Sequence, residues 1–437
     1  MSSGDASRGG HPPRVLVVGH TAELGGAELA LVRLCEALRA LPGDGADVRV
    51  VLLADGPLVA RLRATGTPVR VVAADPRLVT ASRGTLAAPS WGAARRAVAA
   101  ARTVAQLRRV VRAARPDVVH TTTLKADVLG LVAGRTCGVP VVWHVHDRIA
   151  PDYLPPAVVR VLRAVARSRW WGPRAVVANS RATAATLPGV RDLTVAYPGF
   201  APAQALPAPR PAPPSPGGPT GRPRVVGLLG RISPTKGQLE LVRAAPAVLA
   251  RHPDATIRLL GAPAFGADDY AREVAAEVGR LGLGDRVELA GFVDDPAAAL
   301  DALAVCVHAS PVPEPFGQVV VEAMVRGVPV VATDAGGVPE ILRGEDDDAP
   351  LGRLVPPGDA RALADAVVAV LDDPRAAAAT AARAHAVALA RFDVATTART
   401  VSAVWRRAAR VRRRTGRRAG RRTAAPRRPV PGQPRTA

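Results

Sequence analysis

Two glutamates, Glu314 and Glu322, lie eight positions apart, and both carboxylates could bind the same ligand. They lie in the segment EPFGQVVVEAMVRGVPVVATDAGGVPEIL (314–342), where Phe316 and Gly317 stand at the expected start of a helix. An anionic ligand at that helix N-terminus would meet free backbone N–H groups and the positive end of the helix dipole. The two carboxylates would accept hydrogen bonds from sugar or ribose hydroxyls on either side of a diphosphate. The alternative interpretation is that Glu322 is a surface residue of the helix, that Glu314 is a loop residue, and that neither binds a ligand.

Short valine-rich segments alternate with helical patterns through the N-terminal half of the chain. The segments predicted as strands are RVLVVGH (14–20), VRVVLLA (48–54), VRVVAA (69–74), PDVVHT (116–121), PVVWHVH (140–146), AVVANS (175–180) and LTVAYPG (193–199). Helices are predicted near Ala27–Ala40 and over Ala93–Ala114. Short apolar strands separated by helices indicate a parallel sheet that is covered on both faces.

A second alternation of the same kind follows a proline-rich range, 201–223, which has little to bury and predicts a semi-rigid linker. The later predicted strands are RVVGLLG (224–230), ATIRLLG (255–261), RVELAGF (286–292), AVCVHAS (304–310), PVVATD (329–334) and LGRLVPPG (351–358). We therefore predict an α/β protein with two Rossmann-like domains, over 14–200 and 224–373, that face each other across a cleft. Ligands of such sheets bind beyond the carboxyl ends of the strands, so one active site is expected in the cleft.

Length and composition limit the class of protein. With 437 residues, 48% of them apolar, the chain is long enough for two or three domains with sizeable cores. Its three cysteines are far apart among apolar neighbours, which predicts buried thiols in a reducing compartment. The polar start lacks the apolar core of a signal peptide, and no stretch reaches the roughly 18 apolar residues that cross a bilayer. We therefore expect a cytoplasmic protein without a membrane-spanning segment.

The glutamate pair lies in a segment that resembles the motif glutamate, any seven residues, glutamate of a large family of retaining glycosyltransferases. This family includes mannosyl- and glucosyl-transferring enzymes of bacterial glycolipid and polysaccharide assembly, and its members have the GT-B fold. The segment LLGRISPTKGQLELV (228–242) is similar to the Gly-Arg…Lys-Gly signature of the family. It places Arg231 at a strand end and Lys236 just before a helix. Both cations would converge on a diphosphate, where arginine offers a planar fork and lysine a point charge.

The first helix is preceded by a turn that also resembles this family. GHTAELGGAE (19–28) is similar to the family's first glycine-rich turn, where Gly25 and Gly26 would let the backbone approach the phosphates or the acceptor. The turn does not fit the G-x-G-x-x-G fingerprint, which counts against an NAD enzyme.

The end of the fifth predicted strand carries two histidines. VVWHVHD (141–147) resembles the strand that delivers the family's active-site histidine, and alignment on its His-Asp ending selects His146. His144 shares the same strand face, so a metal pair and two structural histidines are alternatives. VVANSRATA (176–184) and VAYPGF (195–200) resemble the closing segments of the family's N-terminal domain. The Tyr-Pro-Gly of the second segment departs from the commoner Asn-Gly version.

The resemblance implies transfer of a sugar from a nucleoside-diphosphate sugar to a glycan or lipid-linked acceptor, with retention at the anomeric carbon and without a metal or other cofactor. Arg231, Lys236 and the amides at the helix start would stabilise the departing diphosphate. Glu322 would hold the ribose, and Glu314 with His146 would hold sugar hydroxyls. The catalytic residues it implies are His146, Glu314, Arg231 and Lys236. The donor-binding residues it implies are Gly25, Gly26, Arg231, Lys236, Val293, Glu314, Phe316, Gly317, Gln318 and Glu322.

Two other functions stay open on sequence grounds. A nucleotide-sugar epimerase of similar fold would act on the donor without an acceptor. A polyanion- or nucleic-acid-binding protein would use the arginine-rich C-terminus, although without interleaved aromatic residues or a recognition motif no specific nucleic acid is expected. The acidic range GEDDDAP (344–350) is interpreted as a solvated turn rather than a metal loop, and His308 as a structural residue or minor site contact.

The net charge of +22 is concentrated at the C-terminus. Thirteen arginines lie between Arg406 and the end, and no acid follows Asp393, so that about +9 (22 less 13) is left for the rest of the chain. A helical segment is predicted over 374–410 and a disordered basic tail over 411–437. The tail is either a solvated charge run or an electrostatic attachment to the anionic inner face of the plasma membrane, where a lipid-linked acceptor would reside.

Overall fold

The computed structural model contains two α/β domains, each built on a wholly parallel sheet. It describes residues 11–41, 45–75, 78, 91–210, 224–264, 266–343 and 350–423, without the side chains of 91–93 and 411–423. Residues 211–223 of the predicted linker, 344–349 of the acidic range and 424–437 of the predicted tail lie outside the described residues. The predicted α/β class with two Rossmann-like domains is confirmed.

The N-terminal domain has a seven-stranded sheet, as predicted. Its strands are β1 (Arg14–Gly19), β2 (Asp47–Leu52), β3 (Val69–Val71), β4 (Val118–Thr121), β5 (Val141–Val145), β6 (Ala175–Ala178) and β7 (Leu193–Val195). They are hydrogen-bonded in the order β3-β2-β1-β4-β5-β6-β7. Along β1, Val15 and Val17 belong to one apolar cluster and Leu16 and Val18 to another. This alternation follows from side chains that point to opposite faces of a sheet buried on both sides.

Helices cover both faces of this sheet. Within the described residues they are α1 (Gly26–Ala40), α2 (Pro57–Ala64), α3 (Trp91–Ala114), α4 (Leu124–Thr136), α5 (Pro156–Arg167) and α6 (Arg181–Ala185). The predicted glycine-rich turn ends at Gly25, the residue that caps α1. The hydroxyl of Ser180 caps α6 by accepting a hydrogen bond from the backbone N–H of Thr183 at 2.8 Å.

The C-terminal domain has a six-stranded sheet in the order β10-β9-β8-β11-β12-β13. Its strands are β8 (Arg224–Leu229), β9 (Ala255–Leu260), β10 (Val287–Gly291), β11 (Val305–His308), β12 (Val330–Thr333) and β13 (Arg353–Val355). Its helices within the described residues are α7 (Gln238–Arg251), α8 (Asp268–Arg280), α9 (Pro296–Asp301), α10 (Gln318–Val325), α11 (Val338–Leu342) and α12 (Ala360–Asp372). The strand order reverses between β8 and β11, which is where ligands of such sheets bind.

The C-terminal segment predicted over 374–410 is a pair of helices rather than one unit. The helices are α13 (Pro374–Arg391) and α14 (Val394–Thr423). At the break between them the N–H of Phe200 donates to the carbonyl of Phe392 at 2.9 Å, and the N–H of Val394 donates to the carbonyl of Phe200 at 3.1 Å. Phe200 ends the N-terminal domain, so these bonds tie the C-terminal segment to the point where the two domains join.

Helix α14 returns to the N-terminal domain and completes its core. Val401, Val404 and Trp405 lie in the same apolar cluster as Leu31 of α1. Trp405 is fully buried, and its indole N–H donates to Nδ1 of His120 on β4 at 3.1 Å. The chain therefore crosses from the second domain back to the first.

Two boundaries differ from the sequence prediction. Helix α14 continues to Thr423, beyond the predicted helix end at residue 410. The start of the range 201–223 is docked on the C-terminal domain rather than free: the N–H of Leu206 donates to the carbonyl of Val325 at 3.0 Å. Arg210 donates to the carbonyl of Asp301 at 2.7 Å. Proline content predicted irregular backbone here but gave no information on these contacts.

The return of α14 predicts that Trp405→Ala destabilises the whole protein. Removal of a fully buried tryptophan should lower the free energy of unfolding by about 3–5 kcal/mol. The matched variant Trp405→Phe keeps most of the apolar volume but loses the bond to His120, and should cost about 1–3 kcal/mol. Denaturant titration followed by circular dichroism measures both. An unchanged free energy of unfolding in Trp405→Ala would contradict the packing of α14.

Candidate active site

The turn after β8 carries the two predicted cations, Arg231 and Lys236. It ends at Gly237, which has φ +84° and starts α7. A Cβ at this position would lie 2.0 Å from the carbonyl oxygen of Ala309, so only glycine fits. Because Ala309 directly follows β11, the turn with Lys236 is held against the end of the strand that neighbours β8. Both cations therefore lie at the predicted edge of the second sheet.

Lys236 and Glu314 form an ion pair at this edge of the second sheet. The ammonium Nζ donates to Oε1 of Glu314 at 2.7 Å, and Nε2 of His308 lies 3.8 Å from the other carboxylate oxygen. Burial by itself would raise the pKa of Glu314, but the charge of Lys236 and the His308 ring hold it well below its usual range. Glu314 is therefore ionised, and His308, expected as a structural residue or minor contact, borders the site.

The loop that carries Glu314 is fixed from the N-terminal domain. The hydroxyls of Ser180 and Thr183 both donate to the carbonyl of Pro315, at 2.6 and 3.2 Å. The loop ends at Gly317, whose φ of +104° turns the chain into α10. The segment that resembles the family's closing N-domain motif thus positions the N-terminus of α10 in the C-terminal domain.

Glu322 is held across the cleft by a residue that was not predicted, Arg33 of α1. Its Nη1 donates to Oε1 of Glu322 at 3.2 Å, and its Nη2 donates to the amide oxygen of Gln318. The amide N–H₂ of Gln318 donates to the carbonyl of Gly26 at 2.8 Å. The first turns of α1 and α10 therefore face each other, and the structure brings Gly26, Gln318 and Glu322 together. A buried arginine in the apolar stripe of a helix requires such partners, and this was the available signal in the sequence.

A second carboxylate joins the domains beside the site. Glu340 of α11 accepts hydrogen bonds from the backbone N–H groups of Arg181 and Ala182 at the start of α6, at 2.9 and 2.6 Å. It also accepts one from the hydroxyl of Tyr197 at 3.0 Å. Tyr197 opens the Tyr-Pro-Gly that departs from the family pattern, and its hydroxyl binds the C-terminal domain rather than an open ligand position. Glu340 was not predicted.

Three buried histidines lie side by side at the carboxyl ends of β4 and β5. The rings of His144 and His146 have centroids 4.1 Å apart, and those of His120 and His144 are 5.2 Å apart. Burial lowers the pKa of His146 to about 4 and that of His120 to about 3, and it lowers the pKa of His144 strongly as well. All three rings are therefore neutral at neutral pH. Nδ1 of His146 has no hydrogen-bond partner within the described residues.

His144 and His146 line a pocket between α1 and the start of α14. Its walls include Leu31, Leu34, Thr122, Pro198, Gly199, Val394 and Thr397. In the part of the chain that the structure describes, no three histidine, cysteine, aspartate or glutamate side chains are grouped so that they could hold a metal ion.

Glu28, in the first turn of α1, was also not predicted. Burial raises its pKa to about 7, with Asp147 adding to this effect and Arg231 of the other domain opposing it. Glu28 lies behind the glycine turn, since a Cβ on Gly25 would be 2.5 Å from its carboxylate oxygen. The opposing influence of Arg231 places this cation beside the N-terminal domain, as expected for a residue in the cleft.

Two further predicted residues, Phe316 and Val293, pack in the C-terminal domain. Phe316 is buried in an apolar cluster, and Val293, which follows β10, packs against the same cluster. Val293 therefore lies at the same carboxyl edge of the parallel sheet as Lys236 but two strands away, because the strand order is β10-β9-β8.

Two family models match the chain, one for each domain. Residues 25–209 match the model described as glycosyl transferase 4-like domain, and residues 223–373 match glycosyl transferases group 1. The gap between the two matched regions falls in the proline-rich range.

Curated relatives match over part of their length. A phosphatidyl-myo-inositol mannosyltransferase of Mycolicibacterium smegmatis is 38% identical over 164 residues, which are 37% of this chain and 39% of the relative. The lipopolysaccharide core biosynthesis mannosyltransferase LpsB of Rhizobium meliloti is 31% identical over 185 residues, which are 42% of this chain and 51% of the relative. The chain thus spans about half or less of these relatives.

Solved structures match over both domains. HepE of Anabaena in complex with UDP is 30% identical, with a TM-score of 0.69 and coverage of 90% of this chain and 99% of that one. Its complex with UDP-glucose gives a TM-score of 0.71 at 29% identity and the same coverage. The resemblance seen in the motifs is therefore confirmed: the chain belongs to the 4-like glycosyltransferases of GT-B fold.

Proposed function

We propose that this protein transfers a hexose from a nucleoside-diphosphate sugar to a glycan or lipid-linked acceptor, with retention at the anomeric carbon. The observation that carries the proposal is the meeting of Lys236, Glu314 and the N-terminus of α10 at one sheet edge, closed by α1 from the other domain. This arrangement offers a cation, a sugar-hydroxyl acceptor and free helix N–H groups within one cleft, which is what a sugar diphosphate requires.

The relatives support a hexose donor. HepE was solved with UDP-glucose, and the two curated relatives described above are mannosyltransferases. A relative from Corynebacterium glutamicum, 33% identical over 167 residues, is described as GDP-mannose-dependent. UDP-glucose and GDP-mannose are therefore the two donors to test first.

In the proposed reaction the bond between the anomeric carbon and the diphosphate oxygen breaks, and the acceptor oxygen bonds to the same face of the carbon. The acceptor proton passes to an oxygen of the departing phosphate. Negative charge grows on the diphosphate, and Arg231, Lys236 and the first-turn amides of α10 stabilise it. Lys236 would leave its bond to Glu314 for a phosphate oxygen, which frees the Glu314 carboxylate for a sugar hydroxyl.

Glu322 is proposed to hold the ribose. Its Oε1 accepts from Arg33, so Oε2 is the oxygen assigned to a ribose hydroxyl. Arg33 would hold the carboxylate in this orientation. A neutral His146, with an unpartnered and buried Nδ1, is suited to bond a sugar hydroxyl because it adds no positive charge beside the developing oxocarbenium ion.

The proposal also includes the basic C-terminus. Among the described residues no helix is long and apolar enough to cross a membrane. We propose that the arginines from Arg406 onward attract the protein to an anionic leaflet, since each one near such a surface contributes about 1 kcal/mol. The vesicle experiment described in the next subsection separates this contribution from that of the folded domains.

Product analysis tests the reaction itself. With UDP-glucose or GDP-mannose and an acceptor, proton NMR of the new linkage should show the anomeric configuration of the donor. Without an acceptor the donor should remain unchanged as a sugar nucleotide. An inverted linkage would reject retention, and a new sugar nucleotide formed from donor alone would favour an epimerase.

Variants of the charged groups should separate turnover from donor binding. Arg231→Ala or Lys236→Ala should lower kcat by about 10²–10³-fold, because their contacts strengthen as charge develops. Glu322→Ala should mainly raise KM for the donor, since ribose binding is the same in ground and transition states. Arg258→Ala, which removes an arginine that pairs with Glu288 on the outer strands, is the matched control and should leave both constants unchanged. Near-normal kcat in both cation variants would reject their assignment.

A further inference from the structure

Two adjacent tryptophans protrude from the N-terminal domain. Trp170 and Trp171 follow α5 and are 76% and 77% exposed. Trp143 and Trp405, by contrast, are fully buried. A tryptophan carries a large apolar surface that is normally buried at least in part. Two such rings side by side in solvent therefore indicate a surface that another phase or molecule covers.

The tryptophan turn is rigidly built. The N–H groups of Trp171 and Gly172 donate to the side chain and carbonyl of Ser168, at 3.1 and 3.0 Å. The guanidinium of Arg135, at the end of α4, donates to the carbonyl of Trp170. A Cβ on Gly172 would lie 2.3 Å from the carbonyl oxygen of Val165, so a larger residue does not fit. These contacts hold the backbone of the turn, on which both tryptophans are exposed.

Apolar residues on the neighbouring helices are exposed as well. On α4, Val128 and Val132 are 46% and 45% exposed, and they lie two turns and one turn, respectively, before the arginine that binds the tryptophan turn. On α5, Val161 is 62% exposed. With Trp170 and Trp171, these three residues form what we call the tryptophan surface. They account for most of the exposed large apolar side chains of the described N-terminal domain.

The charge around the tryptophan surface has one sign. No aspartate or glutamate occurs between Tyr153 and Arg191, whereas six arginines do. Arg160, Arg167 and Arg169 are exposed next to the apolar residues of α5 and the turn. The acids that flank this stretch are paired, Asp152 with Arg148 and Asp192 with Arg407.

We propose that the tryptophan surface docks the N-terminal domain onto an anionic lipid bilayer. Tryptophan is favoured at the boundary between acyl chains and headgroups, where its ring is buried and its N–H stays hydrated. Arginines beside it bind lipid phosphates. A second copy of the chain is a poor occupant, because it would bring two uniformly basic faces together. A bilayer matches both the apolar residues and the surrounding positive charge.

The inference is independent of the sugar chemistry, since vesicle binding requires neither donor nor acceptor. A failed transfer assay with intact vesicle binding would reject the proposed function alone. Loss of vesicle binding with intact transfer to a soluble acceptor would reject only the docking proposal.

The test uses the full chain and its Trp170→Ser/Trp171→Ser variant. Both are mixed with vesicles of phosphatidylglycerol and phosphatidylcholine, and with vesicles of phosphatidylcholine alone, whose acyl chains carry bromine as a fluorescence quencher. The full chain should bind the anionic vesicles, and its tryptophan emission should shift to the blue and be quenched. The variant should bind about tenfold or more weakly, because each ring brings a large apolar area into the interface, and the quenching should be lost.

Matched charge variants test the arginines. Arg160→Ser/Arg167→Ser should weaken binding to anionic vesicles, whereas Arg361→Ser/Arg375→Ser, which removes the same charge from the other domain, should have a smaller effect. A chain that ends at Arg410 keeps the buried part of α14 and should still show tryptophan quenching, since the basic C-terminus does not supply it. Equal melting temperatures show that the variants fold.

Three results would overturn the proposal. The first is wild-type affinity and quenching in the tryptophan variant. The second is an absence of binding by the full chain to anionic vesicles. The third is a dimer in gel filtration that the tryptophan substitutions dissociate while vesicle binding is unchanged, since a second copy would then cover this surface.

Discussion

Carboxylates buried between two domains must each meet a cation or a set of N–H donors, because an unpaired buried charge is strongly unfavourable. The cleft of this protein is organised by that constraint. Glu314 is matched by Lys236 within the C-terminal domain, Glu322 by Arg33 across the cleft, and Glu340 by the N-terminus of α6. The Glu322 and Glu340 contacts join the two domains. Glu314 and Glu322 are also the two carboxylates to which we assign donor binding in the proposed function.

The C-terminal helix adds a second connection between the domains. It leaves the C-terminal domain at the Phe200–Phe392 contact and packs into the core of the N-terminal domain through Trp405. The indole N–H bonds His120, whose ring contacts His144, which in turn contacts His146. A line of buried, neutral rings thus runs from the C-terminal helix to His146, to which we assign a sugar hydroxyl in the proposed function. Helix α14 is therefore connected to the site through these ring contacts.

Most of the framework could be predicted from the sequence because local patterns determine it. The valine-rich strands, the glycine turn before α1, and the Lys236-Gly237 and Phe316-Gly317 helix starts all follow from short-range rules. The cross-domain partners could not be predicted. Arg33 appeared only as one charge in an apolar helix, and Tyr197 as a departure from a motif. Their roles depend on how two distant segments meet, which no local pattern encodes. The docking of residues 201–210 and the return of α14 were missed for the same reason.

The central claim is that the cleft binds a nucleoside diphosphate through Arg231 and Lys236. Calorimetric titration of UDP and UMP, or of GDP and GMP, tests it most directly, because each pair differs by one phosphate. We expect the diphosphate to bind the wild-type protein about ten- to hundredfold more tightly, as a charge-assisted contact contributes about 1.5–3 kcal/mol. In Lys236→Met this preference should largely disappear while monophosphate binding is retained. Equal affinities for the mono- and diphosphate in the wild-type protein, or an undiminished preference in the variant, would contradict the account.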